Sequence, residues 1–212
     1  MTPASHRCRD RPPMRPTGVK EVLARRAPVN LATTIIRDRG ITFADERDVL
    51  MPSLLINMEK VFEAYLRNVL RLRLPALASS VQVLDGTRGG SEGAKKLLFD
   101  KVPSPDAEPD IVIRHPTPPD ETPSTAVILD VKYKKLSGLP DRADINQVVT
   151  YAVSYRSPSV VLIHPWTLKN THGLRRIGVM DQIELYQYAF NLGADDLDAE
   201  EMTFSSAMAG IS

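Results

Sequence analysis

A chain of 212 residues with 42% apolar content is enough for one globular domain, or one domain with an arm, and not for several. Its 27 Lys and Arg nearly balance 26 Asp and Glu, so the net charge of +1 selects no partner, and no apolar run approaches the roughly 20 residues of a membrane span. The single cysteine, Cys8, excludes an intrachain disulfide framework, a Cys-based zinc site and a four-cysteine cluster, and with no secretory h-region at the start this points to a reducing, cytoplasmic setting.

The first 40 residues hold nine Lys or Arg against three acids and include Pro12, Pro13 and Pro16. They read as a flexible basic arm to about residue 18, followed by irregular or short-helical structure, so residues 1–50 form an arm and lead-in ahead of a domain at 51–212. A helix is predicted from Ser53 to Leu72. Met58, Val61, Phe62, Tyr65, Leu66, Val69 and Leu70 fall on one stripe, Ser53 is a possible N-cap and Pro75 closes the element. Short strands follow at Val81–Leu84 and at Lys96–Phe99, the second after a turn rich in glycine. Pro103–Pro109 reads as a loop and Ile111–Ile113 as a strand. A second proline-rich loop, Pro116–Pro123, leads to the buried strand Ala126–Leu129. A helix over Asp141–Tyr155, ended by Pro158, and a strand Val160–Ile163 complete the series. Residues 181–212 carry seven acids and no Lys or Arg, which suggests an acidic tail held away from any DNA-facing surface. The order of elements predicts an α/β fold with a central mixed sheet flanked by helices.

Chemistry-bearing residues fall at the ends of these elements. Asp110 follows Pro109 at the start of the strand Ile111–Ile113, and Asp130 and Lys132 close the strand that begins at Ala126. Strand side chains alternate, so Asp130 and Lys132 share one side of the sheet and Val131 takes the other. Glu63 flanks the apolar stripe of the first helix and can lean toward the sheet. Three carboxylates gathered in this way raise each other's pKa values, and a hard divalent cation such as Mg²⁺ relieves that conflict. Ordinary alternatives exist for each: an ion pair between Asp130 and Lys132, a helical pair between Glu63 and Arg67, solvated lysines at 134 and 135, and structural roles for Gln147 and Tyr151. Asp106 competes with Asp110 but sits within a loop. The four histidines share no metal-ligand spacing and read as structural, and Trp166 as a core or loop anchor.

Pro109-Asp110 followed by Asp130-Val131-Lys132 resembles the PD-(D/E)xK nuclease motif, and Gln147 with Tyr151 resembles the Q-x-x-x-Y element of RecB-type members. Met58-Glu59-Lys60-Val61-Phe62-Glu63 resembles the MxxLFE helix of McrC, the nuclease subunit of the 5-methylcytosine-specific McrBC system. Ile128 to Lys134 and Asp144 to Ala152 resemble McrC as well, so that the likeness covers about residues 50–165. It implies a restriction-endonuclease-like core and Mg²⁺-dependent hydrolysis of DNA (Mn²⁺ as an alternative ion) to a 5′-phosphate and a 3′-hydroxyl. Asp110 and Asp130 would ligate the metal with the Val131 carbonyl, and Glu63 would do so directly or through water. Lys132 would orient the attacking water, with Gln147, Tyr151 and Lys134 supporting it or touching DNA. DNA, a McrB-like AAA+ GTPase and a second copy of the chain are the implied partners, with no membrane. A standalone RecB-type repair nuclease, or a catalytically silent DNA-binding or assembly module with the same fold, are the competing readings.

Overall fold

A computed structural model of the protein describes residues 57–78, 81–115, 125–136 and 138–212. The basic arm, the lead-in, the Ser53 cap and the Pro116–Pro123 loop lie outside the described residues.

Helix α1 runs over Met58–Leu77. Asn57 caps it, its side-chain oxygen accepting from the Lys60 N–H at 3.2 Å, which satisfies one of the unpaired donors of the first turn. The sequence places the end of this helix before Pro75, but Pro75 lies inside it. Proline removes one backbone donor and crowds the carbonyl four residues back, a cost of about 3 kcal/mol. The last turn is retained because Leu70 and Leu74 are fully buried and the Ala78 N–H still reaches the Leu74 carbonyl at 2.9 Å.

Eight strands follow: β1 Gln82–Asp85, β2 Lys96–Leu97, β3 Asp106–Ala107, β4 Ile111–Arg114, β5 Thr125–Val131, β6 Ser159–Pro165, β7 Gly173–Met180 and β8 Ile183–Phe190. Two further helices, α2 Arg142–Tyr155 and α3 Leu197–Ala209, complete the described chain. Six strands form one mixed sheet in the order β1-β4-β5-β6-β8-β7. The pairs β1/β4, β4/β5 and β7/β8 are antiparallel, whereas β5/β6 and β6/β8 are parallel. Helix α2 makes the crossover between parallel β5 and β6. Strands β2 and β3 form a separate two-stranded sheet, so the expected loop at Pro103–Pro109 contains a short strand. The Tyr155 hydroxyl ties this small sheet to α2 through the Ala94 and Ala107 carbonyls, at 2.8 and 2.9 Å.

Alternation along the strands divides the core between two faces. Val112, Ile128, Val160, Leu162 and Leu185 pack against Val148, Ala152 and Tyr155 of α2. The other face carries Tyr188 and Phe190, whose rings meet Phe62 and Tyr65 of α1 and Phe204 of α3 in edge-to-face contacts.

The segment that reads as an acidic tail is part of this packing. Its acids are held by partners remote in sequence: Glu201 and Asp198 by Arg73 of α1, Glu201 also by the Tyr65 hydroxyl, and buried Glu200 by His172 and the Asn191 N–H. Asp196 caps α3 through the Ala199 N–H at 3.0 Å, and Asp198 and Glu200 sit in its first turn, where the helix dipole favours negative charge.

Phe204→Ala should therefore cost about 3–5 kcal/mol, since Phe204 is fully buried and lies 4.9 Å from Tyr188 between ring centroids. A thermal melt reads this as a fall in Tm of about 10 °C. A change under about 2 °C would show that α3 does not close the core.

Candidate active site

Asp110 immediately precedes β4, and Asp130 is the penultimate residue of β5. The antiparallel register pairs Ile111 with Leu129, and one step further brings Asp110 opposite Asp130. By alternation both acids take the face of Val112 and Ile128, the face covered by α2. Their side chains are 8% and 2% exposed. The Asp110 carboxylate is fixed by the Val131 N–H, which donates to Oδ2 at 2.7 Å. Its backbone is fixed from α1, where Arg67 donates to the Asp110 carbonyl at 3.0 Å and pairs with buried Asp85 at 3.1 Å.

Lys132 follows the strand, its N–H continuing the ladder to the Ile163 carbonyl at 2.7 Å. Its ammonium lies 2.8 Å from Asp130 Oδ2 and donates to Gln147 Oε1 at 3.0 Å. Gln147 Nε2 in turn donates to the Tyr151 hydroxyl at 2.9 Å, one turn along α2. The two helix residues thus brace the lysine, with Gln147 as the direct contact. Glu63 is buried on α1 at 5% exposure, and Lys60 holds both of its carboxylate oxygens, at 3.0 and 2.7 Å.

Burial pushes the Asp110 carboxyl up to about 7, with the charges of Asp130 and Glu63 adding to the rise and the Val131 N–H and Lys132 opposing it. Asp130 is also raised, by burial first, with Lys132 pulling the other way. Burial disfavours the Lys132 ammonium, but Asp130 and Asp110 outweigh it and hold the pKa above the ordinary lysine value. The lysine is therefore charged at neutral pH while the Asp110 carboxyl is only partly ionised there.

The structure brings Asp110, Asp130 and Lys132 together, with Gln147 and Tyr151 behind the lysine and the Glu63 charge within electrostatic reach. Glu63 pairs with Lys60, not with Arg67. The Lys134 ammonium is paired with Asp141 and Asp144 at 2.7 and 2.5 Å, at the start of α2. Asp106 is paired with Lys95 at 2.7 Å and lies apart from this group. His164 is buried and hydrogen-bonded and His172 is held by Glu200, both in structural roles. Trp166 anchors its loop through the Asn170 carbonyl at 3.0 Å. Sequence reasoning missed Arg67 as the clamp on residue 110, and Asp144, a buried acid whose charge acts on both Asp130 and Lys132. Position 144, three residues past the Asp141 cap, was the available signal for the acid.

Among the described residues, no group of three or more His, Cys, Asp or Glu side chains is gathered closely enough to hold a metal by itself. The donor set that fits is smaller. Asp130 Oδ2 is buried without a hydrogen bond of good geometry, and Asp110 sits across from it with a carboxyl that burial and like charge leave poorly ionised. Two such carboxylates suit Mg²⁺, which binds through one or two acids and keeps several waters.

A family model described as McrBC 5-methylcytosine restriction system component matches residues 22–165. The chain belongs to this family. The match takes in α1, the strands through β6 and the crossover helix, and so Glu63, Asp110, Asp130, Lys132, Gln147 and Tyr151. Among solved structures, this McrBC family member is similar to a chain of the refined half-complex from a tetradecameric assembly of Thermococcus gammatolerans McrB AAA+ hexamers with bound McrC. The identity is 18% and the TM-score 0.49, over 74% of this chain and 34% of that one. The protein thus spans about a third of that chain's length. No curated protein matches it. No helix among the described residues is long and apolar enough to cross a membrane.

Because the folded pKa of Asp110 lies above its unfolded value, its ionisation opposes folding. The cost is absent below about pH 4, grows as pH rises toward about 7, and is constant above that. Without metal, Asp110→Asn should raise Tm at pH 8 by about 5 °C and by much less at pH 5. Equal effects at the two pH values in paired melts would contradict the raised pKa.

Proposed function

We propose that this McrBC family member is a restriction nuclease component that hydrolyses DNA phosphodiester bonds with Mg²⁺, using a PD-(D/E)xK site on a restriction-endonuclease-like core. The observation that carries the reading is the buried pair Asp110 and Asp130 on adjacent strands, with the Lys132 ammonium 2.8 Å from Asp130. Asp110, Asp130 and the Val131 carbonyl would hold the ion, with Glu63 acting through water because Lys60 occupies its carboxylate. The bound ion would supply a more acidic water and neutralise charge on the phosphate.

The remaining work falls to the chain itself. The Val131 N–H keeps the Asp110 carboxylate turned toward Asp130. Lys132, kept protonated by its acids and aimed by Gln147, is placed to orient the attacking water and to stabilise negative charge as it develops on the phosphate oxygens. Tyr151 fixes the Gln147 amide, so that the lysine loses little freedom at the moment of reaction. The family description names a component of a multi-protein system, and a McrB-like AAA+ GTPase is the partner we assign to it. Reading of 5-methylcytosine would rest with that partner. The reaction would leave a 5′-phosphate and a 3′-hydroxyl.

A second reading has a specific observation in its favour. The Lys132 ammonium lies on the carboxylate a metal would need, and among the described residues no three-ligand group is formed, as suits a silent assembly module.

Cleavage of methylated plasmid with Mg²⁺, GTP and a McrB-like partner separates the two. Lys132→Ala should slow cleavage by about 10²–10³-fold. Asp130→Asn should abolish it, with both variants still unfolding in a single cooperative thermal transition. Parent-level cleavage by both would remove Asp130 and Lys132 from the catalytic site, and a parent that binds DNA but never cuts would establish the silent module.

A further inference from the structure

A second polar feature lies on the same face of the sheet. A cavity of about 70 Å³ is lined by Gly138, Lys169, Asn170, Thr171, Arg175 and Gln187, with Gly173 at its edge. One water needs only about 10–15 Å³ of such space, so the cavity has room for a larger polar group. Its lining contains no acid. Among the described residues neither Lys169 nor Arg175 lies within ion-pair distance of a carboxylate.

Arg175 is held in place by a buried relay. His164 Nδ1 and the Pro165 carbonyl are 3.1 Å apart, which makes Nδ1 the protonated nitrogen. His164 Nε2 then accepts from Gln187 Nε2 at 2.6 Å, and Gln187 Oε1 accepts from the Arg175 guanidinium at 3.1 Å. Gln187 is 4% exposed and His164 fully buried, so this network fixes the arginine from beneath. Arg175 also reaches the Gly138 carbonyl at 3.4 Å, on the segment that follows Lys132 and Lys134. Beside it, both polar atoms of the Asn170 side chain are buried and have no hydrogen-bond partner. An unpartnered buried amide is unfavourable, a cost that a ligand would remove. Gly173 has φ 83° and open space where a Cβ would stand, which keeps the edge of the cavity bare.

The register sets the distance to the carboxylate pair. Asp130 pairs with Leu162, Leu162 with Gln187, and Gln187 with Arg175, so that all four lie in one row across the sheet. Three strand spacings of about 4.8 Å put Arg175 roughly 14 Å from Asp130. That is about four nucleotides at a rise of about 3.4 Å each.

We propose that the cavity formed by Lys169, Asn170 and Arg175 is a subsite for a backbone phosphate of the DNA, a few nucleotides from the scissile bond. The inference rests on the nuclease reading and adds to it the surface along which the strand is held. The guanidinium donates to the phosphate oxygens, the Asn170 amide joins it by turning out of its buried position, and Lys169 at the rim adds a charge that displaces counterions.

Binding of a fluorescein-labelled duplex to the full chain, followed by anisotropy across a salt series, tests it. The Asp130→Asn background serves as parent so that the probe stays intact. Lys169→Glu, at an exposed position, should weaken binding about 10-fold and make the salt slope shallower by about 1. Asn170→Asp, which keeps the shape and adds a negative charge inside the cavity, should weaken it about 5-fold or more. Lys101→Glu makes the same charge change on the turn between β2 and β3 and should shift affinity by less than about 2-fold. Melting midpoints within about 2 °C of the parent confirm that the folds are intact. If both cavity variants bind with the parent's affinity and slope, the subsite is wrong, while cleavage by the protein with Asp130 restored leaves the nuclease reading standing. A parent with no salt-sensitive DNA binding overturns the subsite, and the nuclease reading is then decided separately by the cleavage assay with the partner.

Discussion

One hydrogen bond organises the candidate site: the Val131 N–H donating to the Asp110 carboxylate at 2.7 Å. It crosses from β5 to the residue ahead of β4 and holds a buried acid opposite a second buried acid, Asp130. Placing two carboxylates there is unfavourable by itself, a few kcal/mol for a shift of the size seen at Asp110. Buried acids normally escape such a conflict through a cation, and Lys132 supplies only part of the charge required. A folded domain that keeps this arrangement stores a demand for a further positive charge at one place on its surface.

The rest of the fold sustains that demand. The apolar faces of β4, β5 and β6 are fully buried, so the strand ends that carry Asp110 and Asp130 have little freedom to separate. Helix α1 clamps the Asp110 backbone through Arg67, and α2 braces Lys132 through Gln147. Helix α3 acts at one remove. Its acids lock onto Arg73, and Phe204 closes the aromatic cluster that fixes α1 against β8. The site is therefore built from all three layers, although only two adjacent strands supply its central acids.

Much of this was legible in sequence where the signal was local. The stripe Phe62, Tyr65, Leu66, Val69 and Leu70 gave α1, the run Val127–Leu129 gave the core of β5, and period-two alternation placed Asp130 and Lys132 on one side. What escaped was non-local. Pro75 reads as a stop because the burial of Leu74, which retains the last turn, is a tertiary effect that no local pattern shows. Asp198 and Glu201 read as part of an acidic tail because their partners, Arg73 and Tyr65, lie more than 120 positions earlier. Strand β8 mixes Glu184 and Gln187 into an otherwise apolar run, which hides it until β6 and β7 are set beside it. The pairing of Lys134 was hidden because nothing in its neighbourhood in sequence shows that α2 begins by turning Asp141 and Asp144 onto it. McrBC family membership covers residues 22–165, so β7, β8 and α3 are supported by their packing alone.

The claim on which the account turns is that the Asp110–Asp130 pair seats a hard cation. Crystals soaked in Mn²⁺ and measured for anomalous scattering test it most directly. The account predicts a peak between the two carboxylates and within coordination distance of the Val131 carbonyl, with the Lys132 ammonium displaced from Asp130. Full soaks that leave that position without a peak, and the ammonium still seated on Asp130, would contradict it.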